Sequence, residues 1–200
     1  MMDRRDFFRA GVRKTAEIAY QVAGESAARR AQGWLRPPFA VDELDFLLAC
    51  TRCDKCIEAC PHGVLFKLPA RTGLQAAGTP AMDLLNRGCH LCRDWPCVTA
   101  CEADALKLPG QGDGSPPAVP KLARVRIDPE ICLPYSGPEC GACADSCPVP
   151  GALEWEGGLR PVINEERCTG CALCREACIM EPKAVEVSAF IPEEGMAEAP

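Results

Sequence analysis

An α+β fold built from small repeated units, each with short strands and short helices, is predicted by three observations. The chain of 200 residues contains sixteen cysteines, a density that marks cysteine as an organiser of the fold. These cysteines form four groups of four with closely similar spacing. A brief apolar segment follows the last cysteine of every group, as expected of a short strand in a repeated unit.

The spacing within the groups is that of ligand loops for iron–sulfur clusters. Groups one and four read C-x2-C-x2-C-x3-C, while groups two and three keep the final C-x3-C and widen one earlier gap to four and seven residues. Such runs bind [4Fe–4S] clusters, and the fourth cysteine ligates the other cluster of a pair. We therefore predict four [4Fe–4S] clusters. Their ligands are Cys50, Cys53, Cys56 and Cys60 in group one; Cys89, Cys92, Cys97 and Cys101 in group two; Cys132, Cys140, Cys143 and Cys147 in group three; and Cys168, Cys171, Cys174 and Cys178 in group four.

Two other uses of cysteine explain this pattern less well. Disulfide bonds require an oxidising compartment and give no reason for four recurrences of C-x3-C behind a C-x2-C loop. A structural zinc site pairs two C-x2-C knuckles and has no use for a third cysteine two residues further on. Iron–sulfur ligation accounts for every cysteine.

Segments beside the cysteines predict the strands. Polar and apolar residues alternate over Arg124–Ile127 ahead of group three, and residues 160–164 precede group four. Each unit is thus predicted to run from strand through ligand loop and helical turn to strand, as a small ferredoxin-like unit. Because two units hold two clusters, the chain has enough units for two pseudo-symmetric two-cluster [4Fe–4S] lobes. The apolar segments after the four groups are 64–68, 105–108, 152–155 and 184–187.

The N-terminal region, residues 1–33, predicts an amphipathic helix or a degenerate twin-arginine segment. Arg4-Arg5 followed by two phenylalanines fits the start of such an export signal, but charged residues interrupt the apolar stretch that a signal needs. Three interpretations stay open: a helix on the protein's own core, a helix docked to a partner or membrane surface, and a working signal. We expect a cytoplasmic protein, with a periplasmic one as the alternative. The predicted apolar face comprises Phe8, Val12, Ala16, Ala19, Val22 and Ala23.

Two boundaries follow from composition. The predicted four-cluster domain spans residues 34–188, and the acidic residues 189–200 are predicted to be a disordered tail. Residues 109–120, rich in Pro, Gly and Ser, separate groups one and two from groups three and four. This segment is a surface loop if clusters pair across it, and a domain boundary if they pair on either side of it.

Charge and motifs exclude several functions. A net charge of −6 and a pI near 5.1 argue against a nucleic-acid surface, which requires a basic stripe. No run approaches the length of a transmembrane segment. No phosphate loop, dinucleotide fingerprint or catalytic triad is present, which predicts an electron carrier or accessory protein rather than an enzyme. His62 and His90 lie beside ligand cysteines, and we expect neither to be a ligand.

The span of about residues 34–188 resembles the ferredoxin-type proteins of the NapF, NapG and MauM kind. The resemblance rests on LRPPF, CTRCDKC, CHLCRDWPC and the long C-x7-C-x2-C of group three. It implies electron transfer through [4Fe–4S] clusters, as an accessory of a molybdoenzyme or nitrate reductase type respiratory system. Implied partners are redox proteins, either a reductase or a quinol-oxidising membrane protein. The alternatives are a cytoplasmic maturation factor for a reductase and an exported quinol-to-reductase relay.

The resemblance also implies a nested pairing of groups, one with four and two with three, as in four-cluster subunits of molybdoenzymes. Spacing alone leaves open the adjacent pairing, one with two and three with four. Nested pairing gives four ligand sets: Cys50, Cys53, Cys56 and Cys178; Cys168, Cys171, Cys174 and Cys60; Cys89, Cys92, Cys97 and Cys147; and Cys132, Cys140, Cys143 and Cys101.

Overall fold

Short elements connected by long irregular segments make up most of the computed structural model, which describes residues 4–31, 33–109 and 117–189. The tail beyond residue 189 and the middle of the 109–120 linker lie outside the described residues. The helices are α1 (Arg4–Ala31), α2 (Glu43–Ala49), α3 (Lys55–Glu58), α4 (Pro96–Thr99), α5 (Leu133–Ser136) and α6 (Leu173–Ala177), with 3₁₀ turns at Ala70–Thr72 and Ala144–Ser146. The strands are β1 (Leu65–Lys67), β2 (Pro80–Met82), β3 (Arg124–Ile127), β4 (Leu153–Glu156), β5 (Arg160–Ile163) and β6 (Val185–Ser188).

The long N-terminal helix α1 leaves its predicted apolar face open. Every residue from 12 to 23 is exposed, including Val12 at 70% and Val22 at 56%. The side chain of Phe8 lies outside the description. Helix α1 contacts α2, where the Tyr20 hydroxyl donates to the Asp45 carboxylate. Burial of this face on the protein's own core is therefore wrong over residues 12–23.

The described residues form three two-stranded antiparallel sheets, and their pairing follows the cysteine groups. Strand β3, before group three, pairs with β6, after group four, while β4 pairs with β5 between these groups. In the first half, β1 pairs with β2 between groups one and two. A single bridge from Ala40 to Leu106 joins the segment before group one to the segment after group two. The two halves thus share one pattern of connections.

The strand predictions are confirmed at five of the six segments. Segment 105–108 makes only the bridge at Leu106 and forms no strand. Its consecutive residues Ala105 and Leu106 are instead both buried in the main core. Because a strand shows alternate faces, two consecutive buried residues here fit packing against the core better than a regular ladder.

The main core lies in the first half and extends to the second. Phe46 and Leu84 are fully buried at its centre, and Ala123 and Ala172 from the second half belong to the same cluster of buried residues. A smaller cluster in the second half is formed by Val125, Cys174 and Val185. Cysteine side chains belong to both of these groups of buried residues. The predicted ligands therefore lie within the protein core, at positions that apolar side chains usually occupy.

A buried ion pair anchors the segment that leads into the first ligand loop. The Arg36 guanidinium donates to both carboxylate oxygens of Glu43, at 2.8 and 2.6 Å, and to the Thr79 hydroxyl at 2.8 Å. Both charged side chains are about nine-tenths buried. The guanidinium also lies 4.5 Å from the centroid of the Phe46 ring. Arg36 thus ties Glu43 of α2 to Thr79 and to the Pro80 carbonyl at the start of β2.

We expect Arg36→Ala to lower the free energy of unfolding by about 3–5 kcal/mol, because the Glu43 carboxylate would stay buried without its partner. Chemical denaturation followed by circular dichroism measures the change. The control is Arg13→Ala, which removes an exposed ion pair to Glu17 and should cost less than about 1 kcal/mol. Equal losses for the two variants would contradict the buried-pair account.

Candidate iron–sulfur sites

Left-handed backbone residues shape three of the four ligand loops in the same way. Helices α3, α4 and α6 each begin directly after such a residue, carry the third cysteine of their group, and are followed by the fourth. A positive φ in a residue with a side chain is strained, and it persists where the surrounding structure imposes it. The positions are Arg52 and Asp54 in group one, Leu91 and Trp95 in group two, and Gly170 and Ala172 in group four.

Gly170 also meets a steric requirement. A Cβ at this position would lie 2.1 Å from the carbonyl oxygen and 2.4 Å from the amide nitrogen of Ala123. Only glycine therefore allows the fourth ligand loop to lie against the chain that enters β3. Group three differs, because its longer gap contains α5 and its final C-x3-C contains a 3₁₀ turn.

The first site joins three cysteines of group one to the last cysteine of group two. Burial and, after it, the nearby thiols of Cys50, Cys101 and Cys53 together raise the pKa of the Cys56 thiol to about 11. Cys53 is exposed, and a hydrogen bond from the Lys55 backbone lowers the pKa of its thiol. This site therefore reaches the protein surface.

The second site joins three cysteines of group two to the last cysteine of group one. Cys60, Cys89, Cys92 and Cys97 line one apolar cavity of about 370 Å³. Burial raises the pKa of the Cys97 thiol to about 12, and the thiols of Cys89 and Cys60 contribute in the same direction. The last cysteine of group one, Cys60, thus completes the second site, and the last cysteine of group two, Cys101, completes the first site. We call this an exchange of last cysteines.

The third site combines group three with the last cysteine of group four. Cys132, Cys140, Cys143 and Cys178 line a second cavity of about 370 Å³. Burial raises the pKa of the Cys143 thiol to about 11, with further contributions from the thiols of Cys132, Cys178 and Cys140.

The fourth site combines group four with the last cysteine of group three. Cys147, Cys168, Cys171 and Cys174 line a cavity of about 310 Å³. Burial raises the pKa of the Cys174 thiol to about 12, followed by the effects of the thiols of Cys171 and Cys168. The exchange seen between groups one and two is repeated here.

This arrangement corrects the nested pairing. Cys178 lies with group three rather than with group one, and Cys147 lies with group four rather than with group two. Cys101 and Cys60 remain within the first half. The thiols are paired as one with two and three with four, and the strands agree, because β3–β6 and β4–β5 both close within the second half.

The four sites fit [4Fe–4S] clusters in donor chemistry, since each brings together four thiols. All sixteen cysteines are free thiols, and in the described residues no three His, Cys, Asp or Glu side chains meet closely enough for a single ion. Buried thiols resist ionisation, as the raised pKa values of Cys56, Cys97 and Cys174 indicate. A cationic iron centre offsets that cost, and its binding at neutral pH would release protons.

Thr169 supplies a further sign of a bound group. Its hydroxyl is buried without a hydrogen-bond partner in the described part of the chain, and Thr169 lines the cavity of the fourth site. Burial raises the pKa of the neighbouring Cys171 thiol. A hydroxyl in this position would donate to a cluster or cysteinyl sulfur, which accounts for its burial.

We expect Thr169→Val to lower the reduction potential of one cluster by roughly 40 mV, because the lost hydrogen bond, worth about 1 kcal/mol, favours the more negative reduced state. Redox titration followed by electron paramagnetic resonance measures the shift. Thr72→Val is the control, since the Thr72 hydroxyl donates to the Pro69 carbonyl instead. Potentials unchanged in Thr169→Val would contradict the assigned contact.

Two aromatic pairs beside the second site were not anticipated. The rings of His62 and His90 stack with centroids 3.5 Å apart and planes 7° apart, and both residues line the cavity. Trp95 is buried and meets the Phe39 ring edge-on at 4.9 Å. The only sequence signal for the stack is that each histidine follows a ligand cysteine closely. These rings cover the site against water.

A salt bridge links groups one and two at the surface. The Lys55 ammonium lies 2.6 Å from the Glu102 carboxylate, and this contact raises the pKa of Lys55. Lys55 is in α3 and Glu102 directly follows Cys101, so the bridge joins the two chain segments that share the first site. The charge of Glu102 is therefore compensated locally.

None of the helices in the described ranges combines the length and apolar character needed to cross a membrane.

Comparison with known proteins gives consistent matches. A 4Fe–4S dicluster domain model matches residues 124–179. The methylamine utilization ferredoxin-type protein MauM of Methylobacillus flagellatus is 33% identical over 90% of this chain and 78% of its own. The ferredoxin-type protein NapG of Escherichia coli is 34% identical over 92% of this chain and 84% of its own. The ferredoxin-type protein NapF of E. coli is 32% identical over 75% of this chain and 83% of its own.

The relatives cover both halves of the chain, and the matched dicluster domain holds all four cysteines of group three and all four of group four. The resemblance read from the cysteine loops is thereby confirmed. This chain belongs to the family of ferredoxin-type iron–sulfur electron-transfer proteins that includes NapG and MauM.

Proposed function

We propose that this protein is an electron carrier with four [4Fe–4S] clusters, arranged as two pseudo-symmetric two-cluster lobes over residues 34–188. The observation that carries the proposal is the exchange of last cysteines, Cys60 with Cys101 and Cys147 with Cys178, which completes four sets of four thiols. The shared strand pattern of the halves supports the lobes. When bound, such clusters supply reversible one-electron chemistry.

The chain's own contribution is to position the thiols and to limit water. Left-handed residues at corresponding loop positions turn the cysteines toward shared cavities. The buried Trp95, which the half-buried Phe39 ring meets edge-on, covers the second site, while Cys53 opens the first site to solvent. Exposure and local dielectric both influence cluster potentials. The first and second sites thus differ in their access to water. A difference of this kind would give their clusters different reduction potentials, which suits a carrier that works between two partners.

We further propose that the protein is accessory to a respiratory system of the nitrate reductase or methylamine dehydrogenase kind. Its partners would be redox proteins, either a reductase or a quinol-oxidising membrane protein, and it would have no substrate chemistry of its own. The names of the relatives support this role. Neither the maturation factor nor the exported relay gains support from the contacts described.

A cytoplasmic location is proposed from the charged residues that interrupt the N-terminal apolar stretch, among them Arg13 and Glu17, which pair with each other. Fractionation of native cells with intact-mass analysis tests it. A cytoplasmic protein that retains residues near Met1 is the expected result. A periplasmic form without the N-terminal region would overturn this location and favour export.

Metal content and redox cycling test the proposed function. Anaerobically purified protein should contain about sixteen iron atoms, since each of four clusters holds four. Its visible absorption should bleach on reduction and return on oxidation through several cycles, with electrons passed to an acceptor protein. About eight iron atoms, or clusters that do not cycle, would overturn the proposal.

A further inference from the structure

The two halves of the protein touch where two ligand loops meet. The backbone amide of Cys89, in the second site, donates to the carbonyl oxygen of Cys171, in the fourth site, at 2.7 Å. A ligand from each half is thus joined directly to a ligand from the other. We call this contact and its supports the seam.

Three further contacts hold the seam. The Gly88 amide donates to the Glu176 carboxylate at 2.8 Å, and the Arg175 guanidinium donates to the Leu85 carbonyl at 2.8 Å. Gly88 packs directly on α6, because a Cβ there would lie 2.6 Å from the Leu173 side chain and 2.8 Å from its Cα. Glycine at this position lets the two ligand loops approach each other.

Within each half, the remaining site lies behind the one at the seam. Helix α3, which carries Cys56 of the first site, packs against α4, which carries Cys97 of the second. Helix α6, which carries Cys174 of the fourth site, packs against the 3₁₀ turn that follows Cys143 of the third. These contacts and the seam link the sites in the order first, second, fourth, third.

We propose that electrons cross between the halves at the seam, from the second site to the fourth or in reverse, and that Gly88 is the positioning residue for this step. The proposal rests on the proposed function, since it needs clusters in both halves. One electron leaves the reduced site and reduces the oxidised one, with no bond made or broken. Tunnelling rates fall steeply with distance, so close approach of the loops sets the rate.

The outer sites then serve as the two ends of the electron path. The first site has the exposed Cys53, and the third site lies beside Ile179, whose side chain is 70% exposed. An electron that enters at one end passes both inner sites before it leaves at the other. A donor and an acceptor would therefore dock on different halves.

Gly88→Ala tests the seam, with Gly141→Ala as the matched control. Gly141 also neighbours a ligand cysteine, but open space surrounds the position of its Cβ. Electron paramagnetic resonance of the fully reduced proteins measures spin coupling between clusters, and rapid mixing with an oxidant measures the release of electrons. We expect Gly88→Ala to keep all its iron, to lose part of the spin coupling, and to release electrons in two phases, one severalfold slower than wild type.

The proposal would be overturned if an iron-replete Gly88→Ala protein kept the spin coupling of wild type and released its electrons in a single phase. Equal changes in the Gly141→Ala protein would also overturn it. If Gly88→Ala loses iron, Glu176→Ala takes its place, because it removes only the side-chain acceptor of the Gly88 amide. An iron-replete Glu176→Ala protein with wild-type coupling would also overturn it.

Failure of the proposed function has a different signature. Wild-type protein with fewer than four clusters would contradict the cluster count before any variant is compared. In wild-type protein with four clusters, pulsed resonance distances should place the nearest contact between halves at the second and fourth sites. Any other nearest pair would overturn the seam and leave the carrier function intact.

Discussion

Replacing Cys50 and Cys101 together by serine is expected to remove one cluster, about four iron atoms. Both thiols lie in the first site beside Cys56, so the second replacement removes nothing more. Cys50→Ser with Cys178→Ser should instead remove two clusters, because Cys178 belongs to the third site. Iron and acid-labile sulfide per chain, measured after anaerobic purification, distinguish the two double variants.

The nested pairing predicts the reverse, with one cluster lost from Cys50→Ser/Cys178→Ser and two from Cys50→Ser/Cys101→Ser. The single variants provide the control, since each should lose about one cluster under either pairing. Electron paramagnetic resonance identifies which signal disappears. Two clusters missing from the Cys50→Ser/Cys101→Ser protein would contradict the arrangement of the first site.

Removal of all clusters is expected to abolish cooperative unfolding of the protein. Structural metal sites contribute about 10–16 kcal/mol of folding free energy in small zinc domains, whereas whole domains are stable by about 5–15 kcal/mol. In this protein, several cysteines belong to the buried cores: Cys56 and Cys97 lie in the main core, and Cys174 lies in the smaller one. Without clusters, these positions would face cavities lined by thiols.

Thermal unfolding followed by circular dichroism, with and without prior oxidative chelation, measures this effect. A sample treated with chelator alone under anaerobic conditions is the control, and it should keep its iron and its transition. Reconstitution with iron and sulfide should restore the transition. An iron-free protein that unfolds cooperatively at the unchanged midpoint would contradict the expectation.

The local parts of this structure were predictable from sequence because their determinants are local. Ligand loops follow from cysteine spacing, and strands such as β3 and β6 follow from short alternating or apolar segments beside them. The resemblance identified the family for the same reason, since its most specific marks are the widened gaps of groups two and three. These features depend on a few consecutive residues.

The pairing of sites was not predictable, because it depends on contacts between distant residues. Spacing gives Cys101 and Cys178 identical places in their groups, and only the fold decides which half each one completes. The His62–His90 stack likewise joins two loops that are far apart in sequence. The seam depends on the contact between Gly88 and Leu173. The residues that flank each of them in sequence give no signal for this contact.

The N-terminal helix illustrates a different difficulty. Residues 1–33, predicted to be an amphipathic helix or a degenerate export segment, contain the helix Arg4–Ala31, and periodicity places Val12 and Val22 on one face. It contains no information about what covers that face, which the structure leaves exposed from residue 12 to residue 23. An apolar face on a helix predicts that some partner surface covers it, but the pattern does not identify that surface.

The exchange of Cys60 and Cys101 has a consequence for how the protein is made. Both sites of the first half are complete once residue 101 has left the ribosome, because neither needs a thiol from beyond it. Chains fold from the N-terminus as units during synthesis. In the proposed four-cluster protein, cluster insertion into the first half can therefore precede translation of the second, whereas a nested arrangement would leave the first ligand set incomplete until Cys178 is made.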